Sequence, residues 1–377
     1  MQYINNSHDL LSACNKLKQN EVLALDTEFM RENTFVPILC LLQITAGDEI
    51  FIIDPVKLNL DPLNEILKDP KILKVFHSAY QDCDVFYKNF GLIIEPIFDT
   101  QIAASYLGYG DTISYEKLAH MIVGQNFNKN TKLTNWLNRP LSQAQIDYAV
   151  ADVANLIEIY KYLQEELVAH GRVAWHDQEA DKLYDSQNYS LDPQNAWKRI
   201  TTKSKKKYFL NYLQAFAAYR ENLAVKLNKP RRFIIKDDIL TYLAKHQPKD
   251  KSEILSDRFL RKSLSEKQIA DIIKISVETK ENLKEDIKSE ASYRLNAHQK
   301  MLLDLMKILL QKISTKEKIA ARMIATTDDL IAFVDDGENL KIQAGWRNEI
   351  FGRFAKQLIN GKITLAVKNK RIEILTI

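Results

Sequence analysis

Residues Glu21–Phe29 read EVLALDTEF, and the fold turns on them. Val22, Leu23, Ala24 and Leu25 form an apolar run that ends on Asp26-Thr27-Glu28. Such a run between polar neighbours predicts a β-strand. Residues two apart on a strand project from one face, so Asp26 and Glu28 point the same way. Two carboxylates in an apolar strand are costly unless a cation or a basic partner neutralises them. A structural salt bridge and a cation site are both open from this stretch alone.

Beyond this stretch, Ile38–Ala46 (ILCLLQITA), Glu49–Ile53 (EIFII) and Lys71–Phe76 (KILKVF) read as further strands. Gln43, inside LLQI, is expected to be a hydrogen-bonded core residue. Helical patterns follow at Ala79–Asn89, Asp99–Leu107, Ser114–Val123 and Ser142–Leu167. Strands first, then strands alternating with helices, predict an α/β layer with a mixed sheet.

Two more groups lie on this scaffold. In VFHSAYQDCDVF (75–86) a strand delivers His77 to a turn, and a helix then carries Asp82 and Asp84. On a helix these two lie about 200° apart, so only one can face a common site. In DYAVADV (147–153), Tyr148 and Asp152 are four apart and share a helical face. Taken alone, that spacing carries almost no information.

At 377 residues the chain is long enough for two or three domains, and 46% apolar content allows sizeable cores. Cys14, Cys40 and Cys83 are odd in number and lack Cys-x-x-Cys spacing. Reduced thiols are expected, with neither a disulfide framework nor a zinc site. Met1–Leu11 lacks the basic stretch and apolar run of a signal peptide, and no run approaches the ~18 apolar residues of a membrane span. A cytoplasmic protein without membrane contact is expected. The net charge of +4 conceals a split: residues 1–190 carry 15 Lys and Arg against 26 Asp and Glu, and residues 191–377 carry 38 against 23. An acidic half suited to cations precedes a basic half suited to a polyanion.

A polar stretch, Asp185–Lys207, with Pro193 and Lys203, Lys205, Lys206 and Lys207, reads as a linker. Beyond it the pattern is almost wholly helical. There KDDILTY (236–242) echoes TDDLIAF (327–333) at an offset of 91 residues, which suggests a duplicated small helical domain.

Together the acids and their surroundings resemble the DEDD exonuclease superfamily. The resemblance extends from LDTEF and VPILCLLQI through FHSAYQDCDVF and FDTQIAA (98–104) to WLNRPLSQAQIDYAVADV (136–153). Over residues 1–170 the chain is similar to the ribonuclease D family. Tyr148, four residues before Asp152, places it in the tyrosine branch; Asp147 stands where the other branch has His. Past the linker, DPQNAWKRI (192–200), Tyr219-Arg220-Glu221, Asn228-x-Pro230 and FIIKDDIL (233–240) resemble the HRDC-type helical domain that RecQ-type helicases share with ribonuclease D. GWRNEIFG (345–352) resembles a second copy. One departure is Thr134-Asn135, where the family pattern has Ser-Asp.

The resemblance implies an α/β nuclease domain of ribonuclease H-like fold, a mixed sheet flanked by helices, followed by two small all-α domains. The expected bounds are 1–170 for the nuclease, 171–207 for the connection, and 208–289 and 290–377 for the helical domains. It implies a 3′→5′ exoribonuclease that releases nucleoside 5′-monophosphates from RNA 3′ ends, transfer-RNA precursors among them, with no obligate protein partner. Asp26, Glu28, Asp82 and Asp152 would hold two Mg2+ ions, with Mn2+ as a possible substitute. Asp26 would bridge both ions, and Asp82 would act largely through bound waters. Tyr148 would orient the attacking water. Thr27, Phe29, Met30 and His77 would contact substrate, with Phe29 and Met30 against the terminal bases. Lys205–Lys207, Lys226, Lys229, Arg231, Arg232, Arg258, Arg261 and Lys262 are candidate phosphate contacts, and the two halves are expected to be separable near residue 195. A 3′→5′ DNA exonuclease and a non-catalytic nucleic-acid-binding module are the competing readings.

Overall fold

A computed structural model describes residues 1–126, 134–190, 192–202, 204–287, 295–336 and 339–377. Lys203 and the expected 289/290 boundary lie outside the described residues. The nuclease part is built on a six-stranded sheet in the order β1 (Gln2–Ile4), β4 (Ile50–Ile53), β3 (Ile38–Thr45), β2 (Val22–Met30), β5 (Leu73–Phe76) and β6 (Ile97–Asp99). β2 and β3, and β3 and β4, run antiparallel; β1–β4, β2–β5 and β5–β6 run parallel. The expected mixed sheet is present, with β2 at its interior.

Helices α1 (Ser7–Leu17), α2 (Tyr80–Phe90), α3 (Thr100–Tyr106), α4 (Tyr115–Val123), α5 (Gln143–Ala154), α6 (Leu156–Ala169) and α7 (Val173–Ala180) flank the sheet. The pattern over 142–167 predicts one helix, but Asn155 leaves helical geometry (φ −108°, ψ 4°) and divides it into α5 and α6. One face of the sheet packs Leu23, Leu25, Ile44 and Phe51 against α1 and α2. The other carries two clusters, one around Trp136, Leu141 and Ala149, the second around Val75, Leu118 and Leu163.

The helical half contains a structural repeat. Helix α8 (Lys207–Leu227), the short α9 (Arg231–Ile234) and α10 (Asp237–His246) recur as α11 (Ala297–Glu317), α12 (Ala321–Ile324) and α13 (Thr327–Asp336). The two Asp-Asp pairs lie in the first turns of α10 and α13, where acids meet the positive end of the helix dipole. The chain ends in a hairpin that the helical reading passed over, β7 (Ile363–Lys368) paired with β8 (Arg371–Thr376). Its turn, Asn369-Lys370, has both residues at positive φ (51° and 61°), as the twist of a tight hairpin requires.

Candidate active site

The site is assembled where β2 meets α5. In the β2–β3 ladder Asp26 lies opposite Gln43 and Glu28 opposite Leu41, with an irregularity just after Glu28. Helix α5 starts on a capping box, the Ser142 side chain taking the Gln145 backbone N–H while Gln145 reaches back. The Gln145 amide also donates to Thr134 Oγ1 at 3.1 Å, so the residue that departs from the family pattern steadies the start of α5. From this helix Asp152 reaches Asp26 and Glu28, and one carboxylate oxygen from each of the three lies within 4.8 Å of the others.

Two of these acids, Asp26 and Glu28, have raised proton affinities. Burial pushes Asp26 well above the usual carboxylate range, and the charges of Asp152, Asp82 and Glu28 add to it. Glu28 is pushed up to about 8 by burial, then by Asp152 and Asp82. Carboxylates crowded into a low-dielectric site without a counter-charge resist ionisation. A divalent cation would remove that conflict, and the group offers it only hard oxygen atoms.

Asp82 sits beside this trio. Its carboxylate accepts a hydrogen bond from the Thr27 hydroxyl at 2.5 Å. Burial pushes it up to about 7, against the pull of the Thr27 bond. The choice between Asp82 and Asp84 is visible directly: Asp84 is paired with Arg31 (3.0 Å) and Lys88 (2.6 Å).

Tyr148 donates its hydroxyl to Asp152, and burial, followed by the charges of Asp152, Glu28 and Asp26, raises its pKa further from neutrality. It is a fixed hydrogen-bond donor, unsuited to serve as an unaided base. His77 lines the same cleft, which has a volume of about 230 Å3. Its Nε2–H donates to the Ile113 carbonyl (3.0 Å), and Nδ1 lies 2.9 Å from the Thr100 hydroxyl. Burial lowers its pKa. Ser78 (φ 66°) begins the turn after β5; its N–H and that of Ala79 donate to the buried Asp99 (3.0 and 2.8 Å). Asp99 thereby fixes the start of α2, which carries Asp82.

Thr27 also lines the cleft; Phe29 and Met30 are not among its lining residues. Phe29 packs against the α1–α2 side of the sheet and Met30 against the Trp136 cluster. The expectation for Gln43 is corrected: it is fully buried, but neither amide atom has a hydrogen-bond partner. Ser114, Tyr115 and Glu116 line the cleft without having been anticipated. The Tyr115 ring meets His77 at 5.7 Å between centroids, and its pKa is raised by burial and then by Asp152. Ser114 caps α4, and Tyr115 and Glu116 lie in its first turn; no motif spacing in the sequence marks them.

The pattern of the 3′-5′ exonuclease family matches residues 1–168, and that of the HRDC domain matches 209–275. Ribonuclease D of Bartonella henselae is 37% identical over 380 residues, covering 99% of this chain and 93% of its own. Ribonuclease D of Sphingobium indicum is 38% identical, covering 98% and 97%. The chain belongs to the ribonuclease D family. The solved structure of Escherichia coli ribonuclease D, described as an exoribonuclease involved in structured RNA processing, superposes with a TM-score of 0.81 at 27% identity, covering 96% of this chain and 98% of that one. Membership makes this chain a hydrolase, a 3′→5′ exoribonuclease, and its exonuclease domain one that works with divalent cations. No described helix is long and apolar enough to cross a membrane.

Proposed function

We propose that this ribonuclease D-family enzyme removes nucleoside 5′-monophosphates one at a time from RNA 3′ ends, with Asp26, Glu28 and Asp152 holding two Mg2+ ions. Asp82 completes the set from the Thr27 side. The observation that carries the reading is the approach of three carboxylates from β2 and α5 to within 4.8 Å, with the Tyr148 hydroxyl on one of them. Bound cations supply charge stabilisation to the attacking and leaving oxygens. Glu28 and Asp152 would hold the cation that activates the incoming water, and Asp26 would serve both cations. Tyr148, held protonated with its hydroxyl donated to Asp152, offers its phenolic oxygen as the acceptor that orients that water. The Thr27 hydroxyl holds Asp82 in a single orientation.

Structured RNAs with free 3′ ends, transfer-RNA precursors among them, are the proposed substrates, in keeping with the description of the Escherichia coli relative. The basic helical half supplies phosphate contacts. Arg231 is withdrawn from that set, because Glu221 holds its Nε at 2.5 Å and its guanidinium covers Phe35. The bounds 1–170, 171–207, 208–289 and 290–377 are retained as the working division; 171–207 contains α7 and 3-10 turns, with Tyr189 inside the nuclease core.

The test compares Asp26→Asn with the parent on 3′-labelled and 5′-labelled RNA and DNA, with and without Mg2+. The parent is expected to release labelled monophosphate from the 3′ end of RNA only when cation is present. The variant is expected to lose turnover while keeping RNA affinity, since shape is kept and a bridging charge is lost. Trimming at near-parent rate by the variant would overturn the metal assignment, and a parent that prefers DNA would support the rival reading.

A further inference from the structure

A cluster outside the carboxylate site ties together the two elements that build it. Arg139 lies in the segment 134–142 that leads into α5, and its side chain is 24% exposed. All five of its N–H donors are used. Nε and Nη2 grip Asp54 as a fork, at 2.5 and 2.7 Å. Nη2 also donates to the Cys40 carbonyl of β3 at 2.8 Å. Nη1 donates to the carbonyls of Trp136 (2.7 Å) and Asn138 (2.9 Å). Asp54 is equally committed, taking the Tyr3 hydroxyl at 2.6 Å and the Val56 N–H at 3.1 Å besides the guanidinium. A guanidinium with every donor used and a carboxylate with four bonds leave little freedom of orientation.

The two ends of this bracket lead to the two halves of the site. Cys40 adjoins Leu41, the ladder partner of Glu28. Trp136, whose carbonyl Arg139 holds, packs its ring 6.1 Å from that of Tyr148 and shares a cluster with Leu41 and Ala149. Asp152 lies one helical turn farther along α5. The bracket therefore fixes how far the Tyr148 end of α5 stands from the strand pair carrying Asp26 and Glu28.

We propose that Arg139, seated on Asp54, is a positioning residue for Tyr148: it sets the Tyr148 hydroxyl against the carboxylates and touches neither substrate nor cation. This rests on the reading of Tyr148 as the group that orients the attacking water. Lysine keeps the charge but offers three donors on a flexible stem and cannot hold Asp54, Cys40 and Trp136 together. A small misplacement of a group near the reacting atoms is enough to slow chemistry markedly.

The experiment is a cycle on the full chain: parent, Arg139→Lys, Tyr148→Phe and the double variant, each in single-turnover cleavage of one single-stranded RNA at saturating Mg2+. Thermal unfolding and calorimetric Mg2+ binding accompany it. Arg139→Lys is expected to slow the single-turnover rate by about tenfold or more, with KM and Mg2+ affinity changed only about twofold. In the Tyr148→Phe background the same change is expected to cost less than about twofold, even though the melting temperature falls equally in both. If Arg139→Lys costs the same factor in both backgrounds, Arg139 does not act through Tyr148. A large loss of Mg2+ affinity would also overturn the proposal, by moving the effect to Asp152. Tyr148→Phe cleaving at the parent rate would defeat the reading of Tyr148 itself, and the proposal with it. If Arg139→Lys does not fold, Asp54→Asn, which retains the shape and weakens the fork, takes its place in the cycle with the same expected non-additivity.

Discussion

In the first helical repeat, Leu210, Phe216, Leu240 and Leu243 build a core with its own neighbours, and among the described residues Phe35 is the single buried nuclease residue that enters it. In the second, Met306, Phe333, Trp346 and Phe351 belong to one continuous cluster with Tyr106, Leu118 and Leu163 of the nuclease. Two copies of one helical arrangement thus meet the same partner in opposite ways. The second is fused: Trp346 stacks on Trp175 at 4.7 Å, Arg172 donates to the carbonyls of Tyr106 (2.7 Å) and Glu317 (2.8 Å), and Arg347 pairs with Glu179 at 2.9 Å. The approach is close enough that a Cβ on Gly108 (φ +88°) would stand 2.8 Å from the Lys318 carbonyl. The first is latched: Asn228 Oδ1 accepts the N–H groups of Phe35 and Val36, each at 3.0 Å, and Arg231 covers the Phe35 ring at 4.8 Å. Its point of attachment is the connection after β2, the strand that carries Asp26 and Glu28. A repeat that shares a core cannot leave without unfolding what it covers; one held by a latch can move at modest cost.

The strongest way to break this contrast is to remove the second repeat. A chain ending near residue 287 would expose Tyr106, Leu163 and Trp175, and is expected to aggregate or to lose amide protection in α3 and α6. Cooperative unfolding at the parent temperature would show that the shared core contributes nothing. The shared core argues against separating the halves near residue 195 too, since that cut removes both repeats. Within the full chain, Trp346→Ala is expected to cost roughly 3–5 kcal/mol, the range for deleting a large buried aromatic. Denaturant unfolding followed by a nuclease-domain probe would measure it; a loss confined to the second repeat would mean that the cluster is not continuous.

The sequence made the site legible because each acid sits in a local pattern: D-T-E on a strand, D-C-D on a helix start, Y-x-x-x-D on a helix. It could not distinguish Asp82 from Asp84 without the Thr27 hydroxyl and the Arg31–Lys88 pair. Tyr115 and Glu116 escaped because their position depends on how the segment before α4 is tied to His77, a long-range fact. The Gln43 side chain escaped for the opposite reason. An amide in an apolar strand is ordinarily satisfied, and the structure leaves this one without a partner beside Asp26. The duplication was visible in the Asp-Asp echo, but the manner of docking was not, because Trp346 and Asn228 carry no local signature of what they touch. The hairpin ITLAVK–RIEILT was hidden by the helical pattern before it.

The latch predicts a smaller effect. Asn228→Ala leaves the Phe35 and Val36 N–H groups without their acceptor, at a cost of about 1–2 kcal/mol to docking of the first repeat. Hydrogen exchange should rise at residues 34–37 and around α9, while α11 and α13 stay as protected as in the parent. Equal rises in both repeats would erase the distinction between fused and latched.

Acid should act on the fused interface more gently still. Burial raises the proton affinity of Glu179, but hydrogen bonds from Lys182 and Arg347 outweigh it, and its pKa is lowered in the folded chain. A carboxylate whose folded pKa lies below its unfolded value binds fewer protons folded than unfolded. Its contribution is complete above the ordinary glutamate range and is lost as pH falls through the folded pKa. Glu179→Gln removes that titration while leaving Arg347 an oxygen acceptor. The stability difference between parent and variant should therefore be constant near neutrality and shrink below about pH 4.5. Urea unfolding at a series of pH values measures this difference directly. A gap that stays constant into acid would mean that the Glu179–Arg347 pair contributes through shape and packing alone, leaving the apolar cluster around Trp346 as what joins the second repeat to the nuclease.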